Sequence, residues 1–341
     1  MPSAARDVSA AIAAAGGAIS FEKFMELSLY SPNGFYSTIG QAGRRGDFIT
    51  SPEVGPLFGA VIAQAIDARW RELGGPKNFS VIEVGAGPGT LARSVLRADL
   101  ESRAAITYVA VESSSAQRSS HPVEVISQAT MPTTPTTGMI IANELLDNLP
   151  FRLFVFDNQW QEAFVAERDG KFQEVLRKVD DAPDWLPENP QHGTRLPVQR
   201  QAQQWLATSL QILERGSLVI FDYCMTSRHA ASLPWRDWLR TYRQHKLGEH
   251  YLSQPGEQDI TNHLMLDQLE MVCKPSNISS QSGWLVAHGL NVLVDEGRDY
   301  WQANASKPDL FAMLMRSRIS EAEALTARDG LGNFNVIEWI K

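Results

Sequence analysis

A glycine-rich segment near the middle of the N-terminal half has the residue types needed to bind a nucleotide-like ligand. The segment VIEVGAGPGT contains Gly85, Gly87 and Gly89, a G-x-G-x-G spacing. Glycine lets the backbone turn with positive φ and lets a ligand approach closely. A dinucleotide fingerprint has the spacing G-x-G-x-x-G, which would require glycine at position 90, where this chain has Thr90. The lysine that follows the glycines of a P-loop is also missing. The spacing therefore disfavours both a dinucleotide loop and a P-loop, and a plain tight turn is the alternative.

Two acidic residues accompany this loop. Glu83 precedes it within the apolar stretch FSVIEVG, and Glu112 ends the next apolar stretch, ITYVAVE. A carboxylate at that strand end can accept hydrogen bonds from both hydroxyls of a ribose. We therefore predict that Glu112, Glu83 and the three glycines bind a nucleotide-like cofactor that contains a ribose. For Glu83, a structural role within the strand is the alternative.

A second acidic segment follows a later apolar stretch. In GMIIANELLDNLPF, the side chains of Asn143, Glu144 and Asp147 come directly after Met139 to Ile141. Open α/β sheets bind ligands at the carboxyl ends of their strands, so these side chains are candidates for a ligand site. The alternative is helix capping by Asn143 and a solvated Asp147.

The loop GRRGDFITSPE supplies two further candidates. Asp47 and Thr50 would face a ligand if this loop covers the glycine segment. The pair Ser51 and Pro52 is also a good helix start, which is the alternative explanation for the end of the loop.

Alternating short apolar strands and helices from residue 79 onward predict a mostly parallel sheet with helices on both faces. Two insertions interrupt this alternation. Period-2 character and an Asp169–Gly170 turn predict an antiparallel meander at about 151–178. Residues 225–270 are rich in Trp, His, Tyr and Arg and predict an irregular or helical cap. The terminal NFNVIEWI predicts an antiparallel edge strand.

The chain accordingly divides into four parts. Residues 1–75 form an N-terminal helical extension that includes the loop over the ligand, and residues 76–224 form the cofactor-binding core with the inserted meander. We expect residues 225–270 to form the cap and residues 271–341 to complete the sheet.

Composition narrows the function classes. The chain has 341 residues, 43% hydrophobic and 21% charged, as in ordinary soluble globular proteins. The formal net charge of −8 disfavours a general nucleic-acid binder. No apolar run approaches the roughly 20 residues of a membrane helix, and the Ala-rich N-terminus lacks a basic leader, so we expect a cytoplasmic protein without a membrane partner.

No metal site is expected. Cys224 and Cys273 have no CxxC spacing, which excludes a readable zinc motif. The histidines His245, His250 and His263 match no common ligand spacing and have basic residues nearby. Trp235 and Trp238 in the same region are expected to be core residues of the cap.

Three stretches together resemble the MidA-like family of methyltransferases, whose mitochondrial member is the arginine methyltransferase that assists assembly of respiratory complex I. They are GDFITSPEVGPLFG, IEVGAGPGTLA and ANELLDNLPF, with a weaker fourth, PGEQDITNH. The resemblance implies a Rossmann-like class I methyltransferase fold of seven strands with the last antiparallel. It also implies S-adenosyl-L-methionine as donor and an arginine-containing protein as substrate. The chain departs from the family where relatives show Asp-Tyr-Gly, because Cys224 follows Asp222 and Tyr223.

The resemblance gives the acidic segment a role. Glu144 and Asp147 would hold an acceptor guanidinium, since carboxylates bind it with bidentate geometry, while Asn143 and Asp47 complete the catalytic set. Asn143 and Thr50 would also contact the donor. The cap, residues 225–270, would bind the acceptor, and Asp259 within it is a candidate acceptor contact. The alternatives are an NAD(P)-dependent oxidoreductase and a non-catalytic nucleotide-binding assembly factor.

Overall fold

The computed structural model describes residues 3–38, 50–243 and 246–341, so Asp47 and His245 lie outside the described residues. The strands are β1 Ile19–Ser20, β2 Phe79–Val84, β3 Ile106–Val111, β4 Ile126–Gln128, β5 Thr136–Asn143, β6 Arg152–Asp157, β7 Gln159–Arg168, β8 Lys171–Arg177, β9 Arg195–Val198, β10 Leu213–Asp222, β11 Cys224–Met225, β12 Leu239–Arg243, β13 Lys246–Leu247, β14 Asp259–Asn262, β15 Leu264–Met265, β16 Asn277–Ser280 and β17 Asn335–Ile340. The α-helices are α1 Ala4–Ala14, α2 Phe21–Tyr30, α3 Phe35–Thr38, α4 Ser51–Val54, α5 Pro56–Glu72, α6 Thr90–Arg97, α7 Ser115–Arg118, α8 Arg200–Ile212, α9 Ser227–Ser232, α10 Leu266–Glu270, α11 Gln281–Ala287, α12 Leu290–Asn304 and α13 Leu310–Thr326. Short 3-10 turns cover Glu101–Ala104, Leu146–Asn148, Trp235–Asp237 and Leu331–Asn333.

The described residues form a seven-stranded central sheet in the order β16-β17-β10-β5-β2-β3-β4. The five strands β2, β3, β4, β5 and β10 pair in parallel. Strand β17 is antiparallel to both of its neighbours. The prediction that this last strand forms an edge is wrong, because the short polar segment β16 pairs outside it. Its sequence NISS has no apolar pattern that would have revealed a strand.

Both faces of this sheet are buried, which explains why its strands are continuous apolar runs. Successive side chains of a strand point to opposite faces. Val81 and Ile141 therefore pack against the helices α5 and α6 on one face. Ile82 and Ile140 pack on the other face together with Leu206 of α8. This double coverage leaves the carboxyl edge of the sheet as the place where polar side chains can meet a ligand.

The inserted meander is larger than the sequence predicts. Strands β7 and β8 pair antiparallel across the Asp169–Gly170 turn, where both residues have positive φ, and β6 pairs antiparallel with β7. The same sheet also includes β9, which starts at residue 195, and β1 from the N-terminal extension. The aromatic residues Phe21 and Phe24 of α2 pack into its core. The N-terminal extension is thereby joined to the meander.

The region 225–270 contains short strands, which the expectation of an irregular or helical cap did not include. It contains a three-stranded sheet of β12, β13 and β14 and the short pair β11–β15, with only brief helices between them. Trp238 is fully buried, as expected for a core residue. These strands have two to five residues, which is too short to show an alternating apolar pattern among the polar and aromatic side chains of this region.

The C-terminal helices α11, α12 and α13 pack beside α4 and α5. Within the described ranges, no helix combines the length and the apolarity that a membrane span requires.

We predict that Gly138→Ala destabilises the central sheet. A Cβ atom built at Gly138 would lie 1.8 Å from the carbonyl oxygen of Ser80, so β2 and β5 would have to separate. Overpacking of this kind costs about 1–3 kcal/mol, which urea denaturation measures. The control is Gly330→Ala, whose Cβ would approach no atom closer than 3.7 Å. Equal unfolding midpoints for the two variants would contradict this interpretation of the strand contact.

Candidate functional site

The glycine loop joins β2 to α6 at the carboxyl edge of the sheet. Gly85, Gly87 and Gly89 all have positive φ, at 73°, 52° and 80°. A Cβ at Gly85 would lie 3.0 Å from the Cδ1 atom of Leu145. The loop therefore needs glycine for its backbone conformation, and at Gly85 also for space.

Glu112 ends the neighbouring strand β3 and holds this loop. Its Oε2 accepts the backbone N–H of Gly87 at 3.0 Å, and its Oε1 accepts the N–H of Ser114 at 2.8 Å. The hydroxyl of Ser113 also donates to Oε1, at 3.3 Å, and we expect a ribose hydroxyl to replace this donor when the ribose binds. The carboxylate is thus oriented before a ribose arrives.

Glu83 lies in the wall of the same cavity, beneath the loop. The hydroxyl of Tyr108 donates to its Oε2 at 2.7 Å. Burial raises the pKa of Glu83 to about 7, so the carboxyl is close to half protonated at neutral pH. A cationic ligand group beside it would favour the carboxylate form.

A cavity of about 580 Å³ opens at this edge. Residues from the ends of β2, β3 and β5, from α2 and α8, and from the segment 50–53 contribute to its wall. The described lining residues include five glutamates and no lysine or arginine. These glutamates are Glu26, Glu53, Glu83, Glu112 and Glu144. The described wall is therefore suited to cationic ligands.

Glu144 occupies the end of β5 in an unusual conformation. Its φ is 48°, and its backbone N–H donates to the carbonyl oxygen of Phe221 at 2.9 Å. The side-chain amide of Asn143 and the backbone N–H of Ser51 both donate to the carboxylate. Burial, reinforced by the charge of Asp222, nevertheless raises the pKa of Glu144 to about 8.

Asp222 fixes the turn that follows Glu144. Its Oδ2 accepts the backbone N–H groups of Leu146 and Asp147 at 3.2 and 3.3 Å. Its Oδ1 accepts the N–H of Tyr223 at 2.8 Å. Asp222 is fully buried, and burial raises its pKa to about 7 despite these three donors.

Of the two carboxylates expected to hold an acceptor, only Glu144 lies in the described cavity wall. Asp147 is buried in the 3-10 turn behind it, and its pKa is raised well above the usual range by burial and by Asp222. The charge of Glu144 adds to the raised pKa of Asp147, so the two carboxyls interact electrostatically although only one of them lines the cavity.

Asp259 also differs from expectation, because it supports a tyrosine instead of facing the cavity. Its Oδ1 accepts the hydroxyl of Tyr36 at 3.0 Å and the amide of Asn148 at 3.2 Å. Tyr36 stacks on Tyr30 with ring centroids 5.5 Å apart, and both line the cavity. No pattern in the sequence predicts this pair of tyrosines, because Tyr36 and Asp259 are 223 residues apart in the chain.

The remaining predicted residues have mixed outcomes. Thr50 and Asn143 lie in the cavity wall, whereas Asp47 lies outside the described residues. No cluster of potential metal ligands occurs among the residues that the structure describes, and His250 instead packs on Tyr251.

A family model for S-adenosyl-L-methionine-dependent methyltransferases matches residues 61–282. This range includes the glycine loop, Glu112 and Glu144. The chain belongs to this family. The family is one of S-adenosyl-L-methionine-dependent methyltransferases, and the oxidoreductase alternative is set aside. The MidA-like relationship, the class I fold and the donor expected from the sequence are confirmed.

Named relatives and solved structures agree with this assignment. The mitochondrial protein arginine methyltransferase NDUFAF7 homolog of Drosophila melanogaster is 28% identical over 291 residues, which cover 72% of this chain and 64% of that protein. The Homo sapiens NDUFAF7 is 35% identical over 82 residues, 24% of this chain and 19% of that one. A Burkholderia thailandensis structure bound to S-adenosyl-homocysteine has a TM-score of 0.82 at 25% identity, covering 99% of this chain and 92% of that chain. The alignment with the Drosophila protein thus spans less than two thirds of that protein.

The residues present fit the donor. The glycine loop allows close backbone approach, the oriented carboxylate of Glu112 matches a ribose diol, and Glu83 can balance an ammonium group. We expect Glu112 to bind the ribose of the adenosyl part and Glu83 to lie beside the ammonium group of the methionine part, with the glycine loop against the donor.

We predict that Glu112→Ala weakens binding of S-adenosyl-homocysteine by about 1.5–3 kcal/mol, roughly 10- to 150-fold, as is usual for charged hydrogen bonds. Isothermal titration calorimetry measures this loss directly. The matched control is Glu101→Ala, which removes an exposed carboxylate far from the described cavity wall. The parent should not bind NADH, and a Glu112→Ala variant with parental affinity would refute the ribose assignment.

Proposed function

We propose that the protein transfers the donor methyl group to a guanidinium nitrogen of an arginine in a protein substrate. The observation that carries the proposal is Glu144, a carboxylate at the end of β5 within the cavity wall. The names of the NDUFAF7 relatives support the same acceptor.

The chemistry of the wall suits a guanidinium. This group is planar, cationic and rich in N–H donors, and it pairs with carboxylates and with aromatic faces. Glu26, Glu53 and, once it is ionised, Glu144 supply carboxylates beyond the two glutamates assigned to the donor. The stacked rings of Tyr30 and Tyr36 add an aromatic wall. A neutral acceptor such as a hydroxyl would require none of this charge.

Glu144 would orient one acceptor nitrogen and receive the proton that this nitrogen loses. The bound donor supplies an electrophilic methyl group attached to a sulfonium. As the N–C bond forms, the C–S bond breaks and sulfur keeps the electron pair, so the guanidinium must release one N–H proton. A carboxylate whose pKa is raised to about 8 is a suitable base for that proton near neutral pH.

We predict that Glu144→Gln lowers methyl transfer about 100-fold or more while leaving S-adenosyl-homocysteine affinity near the parental value. Glutamine keeps the shape of the side chain and removes its charge. Transfer of labelled methyl to arginine peptides measures the first quantity, and calorimetry the second. Glu124→Gln, an exposed change, is the control. Near-full turnover in Glu144→Gln would rule out this role.

We predict that kcat/KM rises with pH through an apparent pKa of about 8, because only the carboxylate form of Glu144 pairs with the acceptor. The rise should be absent in Glu144→Gln.

The same pKa affects folding. Burial raises it in the folded state, so the stabilising effect of the protonated carboxyl is lost as pH rises from about 4.5 through 8. The melting temperature of Glu144→Gln relative to the parent should therefore increase between pH 5 and pH 9. A difference independent of pH would contradict the raised pKa.

A further inference from the structure

The segment 50–57 forms one side of the cavity but is held by side chains from the C-terminal end of the chain. We propose that Gln281 and Glu321 are positioning residues for donor binding, acting by fixing this segment against the glycine loop. The inference rests on donor binding alone, and it goes beyond the proposed arginine acceptor. Glu321 and the whole segment lie outside the range matched by the family model.

The first contact joins Gln281 to Ser51. The hydroxyl of Ser51 donates to Oε1 of Gln281 at 2.9 Å, and both residues are completely buried. The other end of the same amide donates from Nε2 to the carbonyl oxygen of Leu325 at 3.1 Å. Gln281 therefore links the start of α4 to the end of α13, and each of its polar ends has a partner.

The second contact joins Glu321 to the start of α5. This helix has Gly55 as its N-cap, which offers no side chain, and Pro56, which has no N–H. The N–H of Leu57 donates instead to Oε2 of Glu321 at 2.8 Å. A carboxylate at a helix N-terminus is also favoured by the helix dipole.

The fit around this carboxylate is tight. A Cβ atom added at Gly55 would lie 2.2 Å from the carboxyl carbon of Glu321. The other carboxylate oxygen accepts the hydroxyl of Ser317 at 2.6 Å, which holds the side chain in place. The segment between Ser51 and Leu57 is therefore fixed at both ends by the C-terminal part of the chain.

The opposite side of the segment faces the donor. Thr50, Pro52 and Glu53 line the cavity, and the backbone N–H of Ser51 hydrogen-bonds to Glu144. Helix α4 has only four residues and no side-chain hydrogen bond from its N-cap Thr50, so its own hydrogen bonds cannot fix its position. Its place in the cavity wall depends on Gln281 and Glu321.

The chain contains a matched control for Gln281. Gln268 is equally buried, and its amide also has partners at both ends. Its Oε1 accepts the N–H of Gln199 at 2.9 Å, and its Nε2 donates to Pro197 at 2.8 Å. These partners connect the meander to the cap and not to the segment 50–57. Replacing either glutamine by leucine removes a buried amide with two partners, but only Gln281→Leu removes a hydrogen bond to the segment 50–57.

The test is calorimetric titration of the folded variants with S-adenosyl-homocysteine, with folding confirmed by thermal melts. We expect Gln281→Leu to weaken binding about tenfold, since a misplaced wall loses contacts of this order. Gln268→Leu should stay within about twofold of the parent although it is destabilised to a similar degree. Ser51→Ala should weaken binding less than Gln281→Leu, and the double variant should bind no more weakly than Gln281→Leu, because the two residues share one contact.

Glu321 provides a rescue test. Glu321→Ala removes the acceptor for Leu57 and should weaken binding, whereas Glu321→Gln keeps an oxygen there and should restore most of the affinity. Equal losses in Gln281→Leu and Gln268→Leu, parental affinity in Gln281→Leu, or equal losses in the two Glu321 variants would each overturn the proposal. If Gln281→Leu does not fold, the affinities of Ser51→Ala and Glu321→Ala are measured instead. Parental affinity in both of these variants would overturn the proposal. Since no acceptor is present, these results are independent of arginine specificity.

Discussion

The buried carboxylate of Asp222 is the interaction on which the site most depends. It accepts three backbone N–H groups from the turns that follow β5 and β10, and it thereby sets the direction of the chain after Glu144. Glu144 itself has positive φ, which a residue other than glycine adopts only where its surroundings enforce it. The sheet supplies the edge, Asp222 fixes the turn at this edge, and the turn presents the carboxylate of Glu144 to the cavity.

This arrangement concentrates negative charge where it is costly to bury. The charge of Asp222 disfavours ionisation of Glu144 and Asp147, the charge of Glu144 disfavours ionisation of Asp147, and burial raises the pKa of all three. A protein selected for stability alone would not place three carboxyls here. A cationic ligand offsets the repulsion, so the cost is consistent with a site shaped for a sulfonium donor and a guanidinium acceptor.

The sequence predicted the local features well and the long-range ones poorly. The glycine loop was recognisable because close backbone approach requires glycine directly after a strand. Glu112 was recognisable because ribose binding requires a carboxylate at the end of the next strand. The polar edge strand β16 has no apolar period, and the extra meander strand β9 is short and carries Pro197 between Leu196 and Val198, so the sequence predicted neither. The burial of Asp147 and the link from Asp259 to Tyr36 depend on contacts between distant segments, which no local pattern encodes.

The most direct test of the central claim is to incubate the protein with isotope-labelled S-adenosyl-L-methionine and an extract of its own cells. The modified residue is then mapped by mass spectrometry, with Glu144→Gln as the inactive reference. The account predicts label on an arginine side-chain nitrogen of a protein, absent from the reference. Label on a different residue type, or on a small molecule, would contradict the account even though methyl transfer itself would stand.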